Sequence, residues 1–394
     1  MQRQQESIQS RSLPEVISMQ SALAPAHRTI TLLICFALFS LVNTCGLAEE
    51  DSARDRKSLV YKGYPPNHCC VDQALRLLPN GDMGVFFVTG GTFEPDVNNH
   101  IRLCRSHDQG ATWQQDEEVL HLENQACLLT EVIVYDDKII IFVSAHGGRF
   151  ENWTVHTLES QDNGKSWGEL KPFEPLPRRT FVRNLLVTSW GEWILPFQTY
   201  DIEDHPERSI LDDRPKQCRN GVLISRDQGA TWTKSTLSEP IDGWGENNVA
   251  ELSDGRLVML IRADGTGSLK RSESTDRGRT WSSHVSIDIP NPGSKFRLFN
   301  LSGDRIAMIH NPNSEVRHPN SKRQANVARN PLSLWISDDD LESWSYQREL
   351  TDFPGMLAYP DGVVSPDEQF IHFAFDYNRH DVIYWGAALP QQPR

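Results

Sequence analysis

The chain has 394 residues, of which 39 are lysine or arginine and 53 are aspartate or glutamate, giving a formal net charge of −14. This acidic balance excludes a general nucleic-acid binder, because such proteins carry a basic face that neutralises phosphates. Only 38% of the residues are hydrophobic, which excludes a polytopic membrane protein, and 11 Trp with 16 Phe are too many for a disordered chain. The 25 Gly and 23 Pro indicate many turns, as in all-β folds.

The first predicted element is a secretory signal peptide over residues 1–48. Residues 30–42 are the only long apolar run, the basic side chains of His27 and Arg28 precede it, and a small-x-Ala cleavage site ends at Ala48. The run is too short to span a bilayer comfortably. We therefore expect cleavage near Ala48 and a secreted or periplasmic protein with no stable membrane insertion afterwards.

Two residues inside this leader have a second interpretation. Met19 is an alternative start that would leave a leader of ordinary length. Cys45 could carry a lipid anchor, but Asn43-Thr44 is a poor approach to a lipidated cysteine, so a cleaved leader is favoured. The mature chain, residues 49–394, is predicted to form one domain. Its cysteines are odd in number and show no paired spacing, so they predict neither a disulfide framework nor a zinc site: Cys69, Cys70, Cys104, Cys127 and Cys218.

Six times along the mature chain, a turn signal is followed by an apolar run, with a strand-like stretch ahead of the turn. Apolar runs of this length between turns are typical of strands buried on both faces. A third strand follows each pair. The six apolar runs are Met83–Thr89, Ile139–Ala145, Trp193–Thr199, Leu257–Arg262, Arg305–His310 and Gln369–Phe375.

In the first five units the third strand leads into a box of the form Ser-x-Asp-x-Gly-x-Thr/Ser-Trp, which has lost its glycine in the fifth. The chemistry of the box is that of a hairpin turn: Asp accepts hydrogen bonds from backbone N–H groups of its own turn, and Gly supplies the positive φ. Trp can pack under the turn. The aspartates are therefore predicted to be structural, and they are Asp108, Asp162, Asp227, Asp276 and Asp339.

The sixth unit has Val382–Leu389 as its third strand and then lacks a box. Ser58–Tyr61 is strand-like and has no other partner, so we expect it to supply the missing outer strand. The predicted fold is all-β, a six-bladed β-propeller of four-stranded antiparallel blades whose ring is closed by the mature N-terminal strand. In such blades the first strand begins, and the second ends, at the mouth opposite the boxes, and functional residues are expected at that mouth.

With its boxes and six units, the chain resembles the sialidase (neuraminidase) superfamily, specifically its BNR/Asp-box six-bladed propellers. The similarity covers nearly all of residues 58–390 and extends to three further segments: residues 246–262, Arg329-Asn-Pro-Leu-Ser-Leu and Leu357-Ala-Tyr359-Pro. Because the substrate carboxylate would repel an anionic nucleophile, this family uses a neutral Tyr with a nearby Glu that takes its proton. The resemblance also implies three arginines that grip the carboxylate, an Asp acid/base, and neither cofactor nor metal.

Carried over by position, the resemblance implies that Tyr359 is the nucleophile and Glu246 its partner. It assigns carboxylate binding to Arg262 and Arg329. All four residues lie at the predicted mouth, a placement that the blade argument reaches independently of the resemblance.

Two parts of the family pattern are missing from their usual places. The segment that should carry the first arginine reads His68-Cys69-Cys70-Val71-Asp72, and the position expected for the acid/base reads Val88-Thr89-Gly90-Gly91. Asp96 in the following loop is the candidate replacement for the acid/base, and Asp72 is another; a turn or strand-start hydrogen bond would equally explain Asp72.

Other polar residues are predicted at the same mouth, and together they form an arginine-rich bowl that suits a small anionic sugar better than a neutral one. Arg183, His68 and His146 are candidate substrate-binding residues, as is Asp72. The bowl also includes Arg149, Asp201, His310, Asp361 and Arg379.

Three functions fit this pattern, all with a carbohydrate as the partner. The first is a sialidase-like exoglycosidase that hydrolyses a terminal acidic sugar from glycoconjugates. The second is a lyase or glycosidase acting on uronate-containing polysaccharide, which the missing arginine and the histidines favour. The third is a non-catalytic carbohydrate-binding propeller, because a fold alone does not determine activity.

Overall fold

The computed structural model describes residues 49–200, 209–212, 217–315 and 329–391. Apart from a short helix over residues 49–54 and a 3-10 turn at Ile210–Asp212, the regular structure of these residues is β. No helix in the described ranges is long and apolar enough to cross a membrane. The predicted leader over residues 1–48 and the mouth residue Asp201 lie outside the described residues.

The first three blades are antiparallel sheets built from consecutive strands. Blade one contains β2 (Cys70–Leu77), β3 (Met83–Thr89), β4 (His100–Ser106) and β5 (Glu117–Leu120). Blade two contains β6 (Ala126–Tyr135), β7 (Lys138–His146), β8 (Thr154–Ser160) and β9 (Lys171–Pro172). Blade three contains β10 (Thr180–Val182), β11 (Leu186–Val187), β12 (Trp193–Thr199), β13 (Gln217–Ser225), β14 (Thr233–Thr236) and β15 (Ile241–Asp242).

The last three blades follow the same plan, and blade six takes its outer strand from the N-terminal side of the chain. Blade four contains β16 (Asn247–Glu251), β17 (Leu257–Ile261), β18 (Ser268–Ser274) and β19 (Val285–Pro290). Blade five contains β20 (Arg297–Leu301), β21 (Arg305–His310), β22 (Ser333–Ser337) and β23 (Tyr346–Glu349). Blade six contains β24 (Leu357–Val364), β25 (Phe370–Tyr377), β26 (Asp381–Ala388) and β1 (Arg56–Lys62).

The six-bladed propeller predicted from the sequence is confirmed. Contacts run from blade to blade in a closed ring, with the first strand of each blade or its immediate neighbour facing the next blade. The second strands β3, β12 and β17 are buried at every position, because each blade packs between two others. One detail differs from the expected pattern. The first strand of blade three is interrupted between β10 and β11 by Arg183, Asn184 and Leu185, although the Arg183 amide still donates to the Pro196 carbonyl of β12 at 2.7 Å.

The box turns have the hydrogen bonds that the sequence predicts. Asp108 accepts hydrogen bonds from the Thr112 amide (2.8 Å) and hydroxyl (2.6 Å), which lower the pKa of Asp108 to about 2. In the fifth box Leu341 takes the place of glycine at φ 66°, and the bonds to Asp339 are retained. These turns lie between the third and fourth strands, at the end of each blade opposite the predicted mouth. The five cysteines of the described residues are free and buried.

Blade six is closed by the N-terminal segment, as predicted. Strand β1 pairs with β26, and just before it Asp55 forms a double ion pair with Arg348 of blade five (2.8 and 3.0 Å). The same carboxylate accepts hydrogen bonds from the Trp385 indole (3.0 Å) and the Ala388 amide (2.8 Å). Residues 49–62 therefore join the last blade to its neighbour.

Deleting residues 49–64 is expected to lower the melting temperature by about 10 °C or more, because it exposes the edge of β26 and leaves Arg348 without its buried partner. Differential scanning fluorimetry of the purified protein measures this shift. Asp55→Asn, which keeps the strand but removes the ion pair, should show a smaller decrease. A truncated protein that stays soluble and melts like the wild type would contradict this account of ring closure.

Candidate active site

Irregularities in the first strands aim polar side chains into the mouth of the propeller. The pairing of β2 with β3 shifts between Val71 and Ala74, and the pairing of β24 with β25 shifts between Ala358 and Asp361. Bulges of this kind redirect side chains and are common next to active sites. Asp72 (φ 48°) and Tyr359 (φ 58°) lie in these bulges, in a backbone region that bulky residues rarely adopt.

Hydrogen bonds between blades one and six link the bulge at Asp72 to the bulge at Tyr359. The side-chain amide of Gln73 in blade one donates hydrogen bonds to the carbonyl oxygens of Ala358 (3.2 Å) and Tyr359 in blade six. Two neighbouring blades thus fix the backbone that carries Tyr359.

The mouth contains a cavity of about 300 Å³ lined by both charged and apolar side chains. The charged residues are Asp72, Glu94, Glu246, Arg183, Arg262, Arg329 and Arg379, and Tyr359 also lines the cavity. The apolar residues include Phe150, Phe181, Leu211, Trp244 and Met356. Four arginines against three carboxyl groups make the cavity suited to an anion.

Tyr359, Glu246 and Arg262 meet in this cavity. The Tyr359 hydroxyl donates a hydrogen bond to Glu246 Oε1 at 3.3 Å. Arg262 Nη1 lies 2.9 and 3.0 Å from the two Glu246 oxygens and 3.4 Å from the Tyr359 hydroxyl oxygen. The Nε of Arg262 donates to Asp264 at 2.8 Å, which fixes the guanidinium. The phenol of Tyr359, the carboxylate of Glu246 and the guanidinium of Arg262 are therefore in mutual contact.

The electrostatics assign a protonation state to each member of this group. Burial raises the pKa of Glu246, but Arg262 and then Arg183 outweigh it and hold this pKa below its ordinary value. Burial, followed by the Glu246 charge, raises the pKa of Tyr359 above 10 against the opposing effect of the arginines. At neutral pH the tyrosine is a neutral phenol beside an ionised carboxylate, the arrangement that a nucleophile and its base require.

Two more arginines flank the Tyr359 ring. The guanidinium carbon of Arg329 lies 5.3 Å from the ring centroid, and that of Arg379 lies 5.6 Å from it. Arg329 donates to the Gly293 carbonyl at 3.0 Å, and Arg379 forms an ion pair with Glu94 at 2.6 Å. Both cations are thus oriented by partners on other loops.

Asp72 is the carboxyl group of this cavity whose pKa is raised. Burial is the largest cause and the nearby Glu94 carboxylate the next, and together they raise the pKa to about 7 against the opposing effect of Arg183. Arg183 itself is buried and donates through Nε to Gln198 at 3.0 Å.

A buried network of charged and polar side chains includes residues of the same first strands that carry Asp72 and Tyr359. Arg76 pairs with Glu131 at 2.6 Å and with Asp361 at 2.7 Å. Asp361 also accepts from Asn184 at 2.6 Å and from Lys295 at 3.2 Å. Arg76, Glu131 and Asp361 lie on the first strands of blades one, two and six, Asn184 lies at the break in blade three, and Lys295 lies just before β20 of blade five. The network therefore ties together segments from around the ring.

Six of the predicted catalytic and binding residues line the cavity: Asp72, Arg183, Glu246, Arg262, Arg329 and Tyr359. His68 lines a neighbouring cavity. Asp96 and His146 are not among the described lining residues of either one. Asp96 instead accepts hydrogen bonds from the Asn98 amide (2.9 Å) and side chain (2.7 Å), which stabilise its own turn. The buried ring of His146 packs on Phe150 at 5.0 Å.

The sequence reasoning missed Glu94 and gave Arg379 no specific role. Arg379 was visible as one of several polar residues at the mouth, in the hairpin between β25 and β26. Glu94 lies in the same loop as Asp96, and nothing in the sequence shows that Glu94 pairs with Arg379 whereas Asp96 accepts hydrogen bonds within its own turn. In the described residues, no group of three or more His, Cys, Asp or Glu side chains is arranged to hold a metal ion.

Comparison with known proteins places this chain in a family. Residues 81–372 match the model of the BNR repeat-like domain, and the chain belongs to that family. A sialidase from Paraclostridium sordellii is 24% identical over an alignment 277 residues long, and the alignment covers 61% of this chain. The matched region spans 64% of the length of that relative.

Solved sialidase structures share the fold. The Hadza microbial sialidase Hz136 superimposes with a TM-score of 0.64 at 17% identity, covering 83% of this chain and 68% of that one. The Trypanosoma rangeli sialidase gives 0.61 at 16% identity, with coverages of 84% and 59%. The intramolecular trans-sialidase of Ruminococcus gnavus gives 0.62 at 14% identity, with coverages of 86% and 99%. At these identities the likeness concerns the propeller itself.

Proposed function

We propose that this protein is a secreted exoglycosidase that hydrolyses a terminal acidic sugar of the sialic-acid type. The observation that carries the proposal is the contact of the Tyr359 hydroxyl with Glu246 (3.3 Å) and Arg262 (3.4 Å) inside an arginine-rich cavity. A neutral phenol can approach an anomeric carbon that bears a carboxylate, whereas a carboxylate nucleophile would be repelled. Membership of the BNR repeat-like family and the distant sialidase relative support the same class of reaction.

In the first step, the substrate carboxylate binds to Arg262, Arg329 and Arg379. The Tyr359 oxygen attacks the anomeric carbon while its proton passes to Glu246. The bond from that carbon to the leaving oxygen breaks, and Asp72 donates its proton to this oxygen. The products are a neutral leaving group and a sugar bonded to Tyr359.

In the second step, water attacks the same carbon and gives a proton to Asp72. The bond to the Tyr359 oxygen breaks, and Glu246 returns the proton to the phenol. Two displacements at one carbon leave its configuration unchanged, so the released sugar should have the anomeric form of the substrate.

Arg379 takes the part of the arginine that blade one lacks. The blade-one segment in which the family pattern expects this arginine, residues 68–72, contains no arginine and ends in the acidic residue Asp72. Arg379 lines the cavity from blade six, its guanidinium carbon lies 5.6 Å from the Tyr359 ring centroid, and Glu94 orients its guanidinium. A planar guanidinium in this place can form paired hydrogen bonds with a carboxylate.

Arg379→Lys is expected to raise KM by about tenfold and to change kcat by less than about threefold, because lysine keeps the charge but loses the planar pair of donors. Initial rates over a range of substrate concentrations give both constants. Arg226→Lys is the matched control, since Arg226 is an exposed residue within the box of blade three, at the end of the blade opposite the mouth. Equal KM values in the Arg379 variant and the control would show that Arg379 does not bind the substrate carboxylate.

The proposed function is tested with a fluorogenic sialoside. Release of the fluorophore together with the free acidic sugar supports hydrolysis. New ultraviolet absorbance from an unsaturated uronate, formed from a uronate-containing polysaccharide without sialoside turnover, would overturn the proposal in favour of a lyase. Saturable binding of sialosides without any turnover would instead identify a binding propeller.

A further inference from the structure

Asp376 is a buried carboxyl group that the proposed reaction does not use. It lies at the mouth end of β25, where its backbone pairs with Ala358, the neighbour of Tyr359. Its side chain is buried, and its Oδ2 atom has no hydrogen-bond partner among the described residues. A buried carboxyl group with an unpartnered oxygen costs stability, so any favourable contribution of Asp376 must come from its other oxygen.

The other oxygen of Asp376 shapes the turn that carries Arg379. The Arg379 amide donates a hydrogen bond to Asp376 Oδ1 at 3.2 Å. Within this turn Asn378 and Arg379 have φ values of 57° and 54°, in a left-handed region that arginine rarely adopts. Such conformations persist only where the surroundings support them, and aspartate side chains support turns by accepting backbone hydrogen bonds. The bond to Asp376 therefore helps to set the backbone conformation from which the Arg379 side chain departs.

The same turn is anchored to two neighbouring segments. The Arg379 carbonyl accepts a hydrogen bond from the Cys70 amide of blade one at 3.0 Å. Asn378 exchanges two hydrogen bonds with Met356, each of 2.8 Å, and Met356 lines the cavity that holds Tyr359. These anchors place the turn against the cavity, whereas the bond to Asp376 acts on the conformation of Arg379 itself.

The ionisation of Asp376 depends on the arginines beside it. Burial is the largest influence and raises the pKa of Asp376 to about 7, Arg379 and then Arg329 oppose this rise, and the Glu94 carboxylate adds to it. At pH 6 Asp376 is therefore mostly protonated. Its part in the turn can then be measured against a neutral variant without a large change of charge.

We infer that Asp376 is a positioning residue, which holds Arg379 in the place from which its guanidinium binds the substrate carboxylate. This role rests on the proposed function, in which Arg379 is one of the carboxylate-binding arginines, and it adds a residue behind the wall of the cavity. Asp376 is not among the described residues that line the cavity, so it acts through Arg379 rather than on the substrate.

At pH 6, Asp376→Ala is expected to raise KM for a fluorogenic sialoside by about fivefold or more and to change kcat by less than about threefold, because it loosens a binding group and leaves the reacting groups in place. Asp376→Asn keeps an oxygen that accepts the Arg379 amide, so its KM should stay within about twofold of the wild-type value. Asp367→Ala is the matched control, because Asp367 accepts the Gln369 amide (3.1 Å) in the turn at the opposite end of β25.

Two further measurements test whether Asp376 acts through Arg379. In an Arg379→Ala background, Asp376→Ala should raise KM by less than about twofold, because both changes remove the same interaction with the substrate. Binding of free N-acetylneuraminic acid, followed by ligand-observed NMR, should weaken about fivefold in Asp376→Ala and stay within about twofold in Asp376→Asn. A merely structural role would lower the melting temperature without separating KM from kcat.

Equal KM values in the wild type, Asp376→Ala and the control would overturn the inference and leave the proposed function standing. An undiminished effect of Asp376→Ala in the Arg379→Ala background would overturn it too. If no sialoside is cleaved but the free sugar acid binds with the expected pattern, the proposed hydrolysis fails while the role of Asp376 stands; the absence of both turnover and binding would overturn both. If Asp376→Ala does not fold, Asp376→Ser takes its place, since its shorter hydroxyl supports the turn more weakly and should still raise KM above that of Asp376→Asn.

Discussion

Replacing Tyr359 with phenylalanine is expected to lower kcat by roughly 10³-fold or more, as the loss of a nucleophile does in other enzymes. Only the hydroxyl oxygen is removed. The ring keeps its contacts with Arg329 and Arg379, so the melting temperature should stay within about 3 °C of the wild-type value. Glu246→Gln should cost less, about 10²-fold, because an amide still positions the phenol but cannot take its proton.

Initial rates with a fluorogenic sialoside, measured with melting curves on the same preparations, check this prediction. Tyr135→Phe serves as the control, because Tyr135 lies at the far end of the first strand of blade two, away from the mouth. If Tyr359→Phe keeps wild-type turnover, the Tyr359 phenol is not the nucleophile. A rate lost together with the folded state would be detected by the melting curve, and Glu246→Gln then provides the second measurement.

The propeller could be predicted from the sequence because the signals that define each blade lie close together along the chain. The turn signals and apolar runs mark each blade within about a dozen residues, and the predicted run Met83–Thr89 coincides with β3. The partner of Ser58–Tyr61 lies more than 300 residues away, yet it was predicted correctly, because only one blade lacked an outer strand. The break between β10 and β11 was not predicted, because it is visible only in how the two segments pair with β12.

Only those site residues that occupy the sequence positions expected from the family pattern could be predicted. Tyr359, Glu246 and Arg262 are such residues, and the structure brings them together. Arg379 and Glu94 are not, because their pairing joins loops that are 285 residues apart in the sequence. Asp96 and Asp72 looked similar in the sequence. The bulge in β2 turns Asp72 into the cavity, while Asp96 binds its own turn.

Asp72→Asn is expected to lower kcat/KM by about 10²–10⁴-fold for a substrate with a poor leaving group, which needs its oxygen protonated. The loss should be much smaller with an activated aryl leaving group, because that oxygen departs as an anion. Rates with an alkyl and an aryl sialoside measure this contrast. Asp96→Asn is the matched control from the neighbouring loop. If Asp96→Asn shows the leaving-group contrast and Asp72→Asn does not, the acid is Asp96.

The pH dependence separates the acid role of Asp72 from a merely structural one. Asp72 must be protonated to act as an acid, and its pKa is raised to about 7, so wild-type activity should fall as the pH rises above about 7. In the Asp72→Asn variant, the rate should not show this fall above about pH 7. The stability of the wild type should also fall with rising pH, because a group whose pKa is raised in the folded state contributes stability that is lost as the pH rises through that pKa. At pH 8 the neutral amide of Asp72→Asn avoids the buried charge, so the variant should melt above the wild type while turning over more slowly. Equal melting temperatures and identical pH–rate profiles for the two proteins would show that Asp72 is not the group that titrates near pH 7.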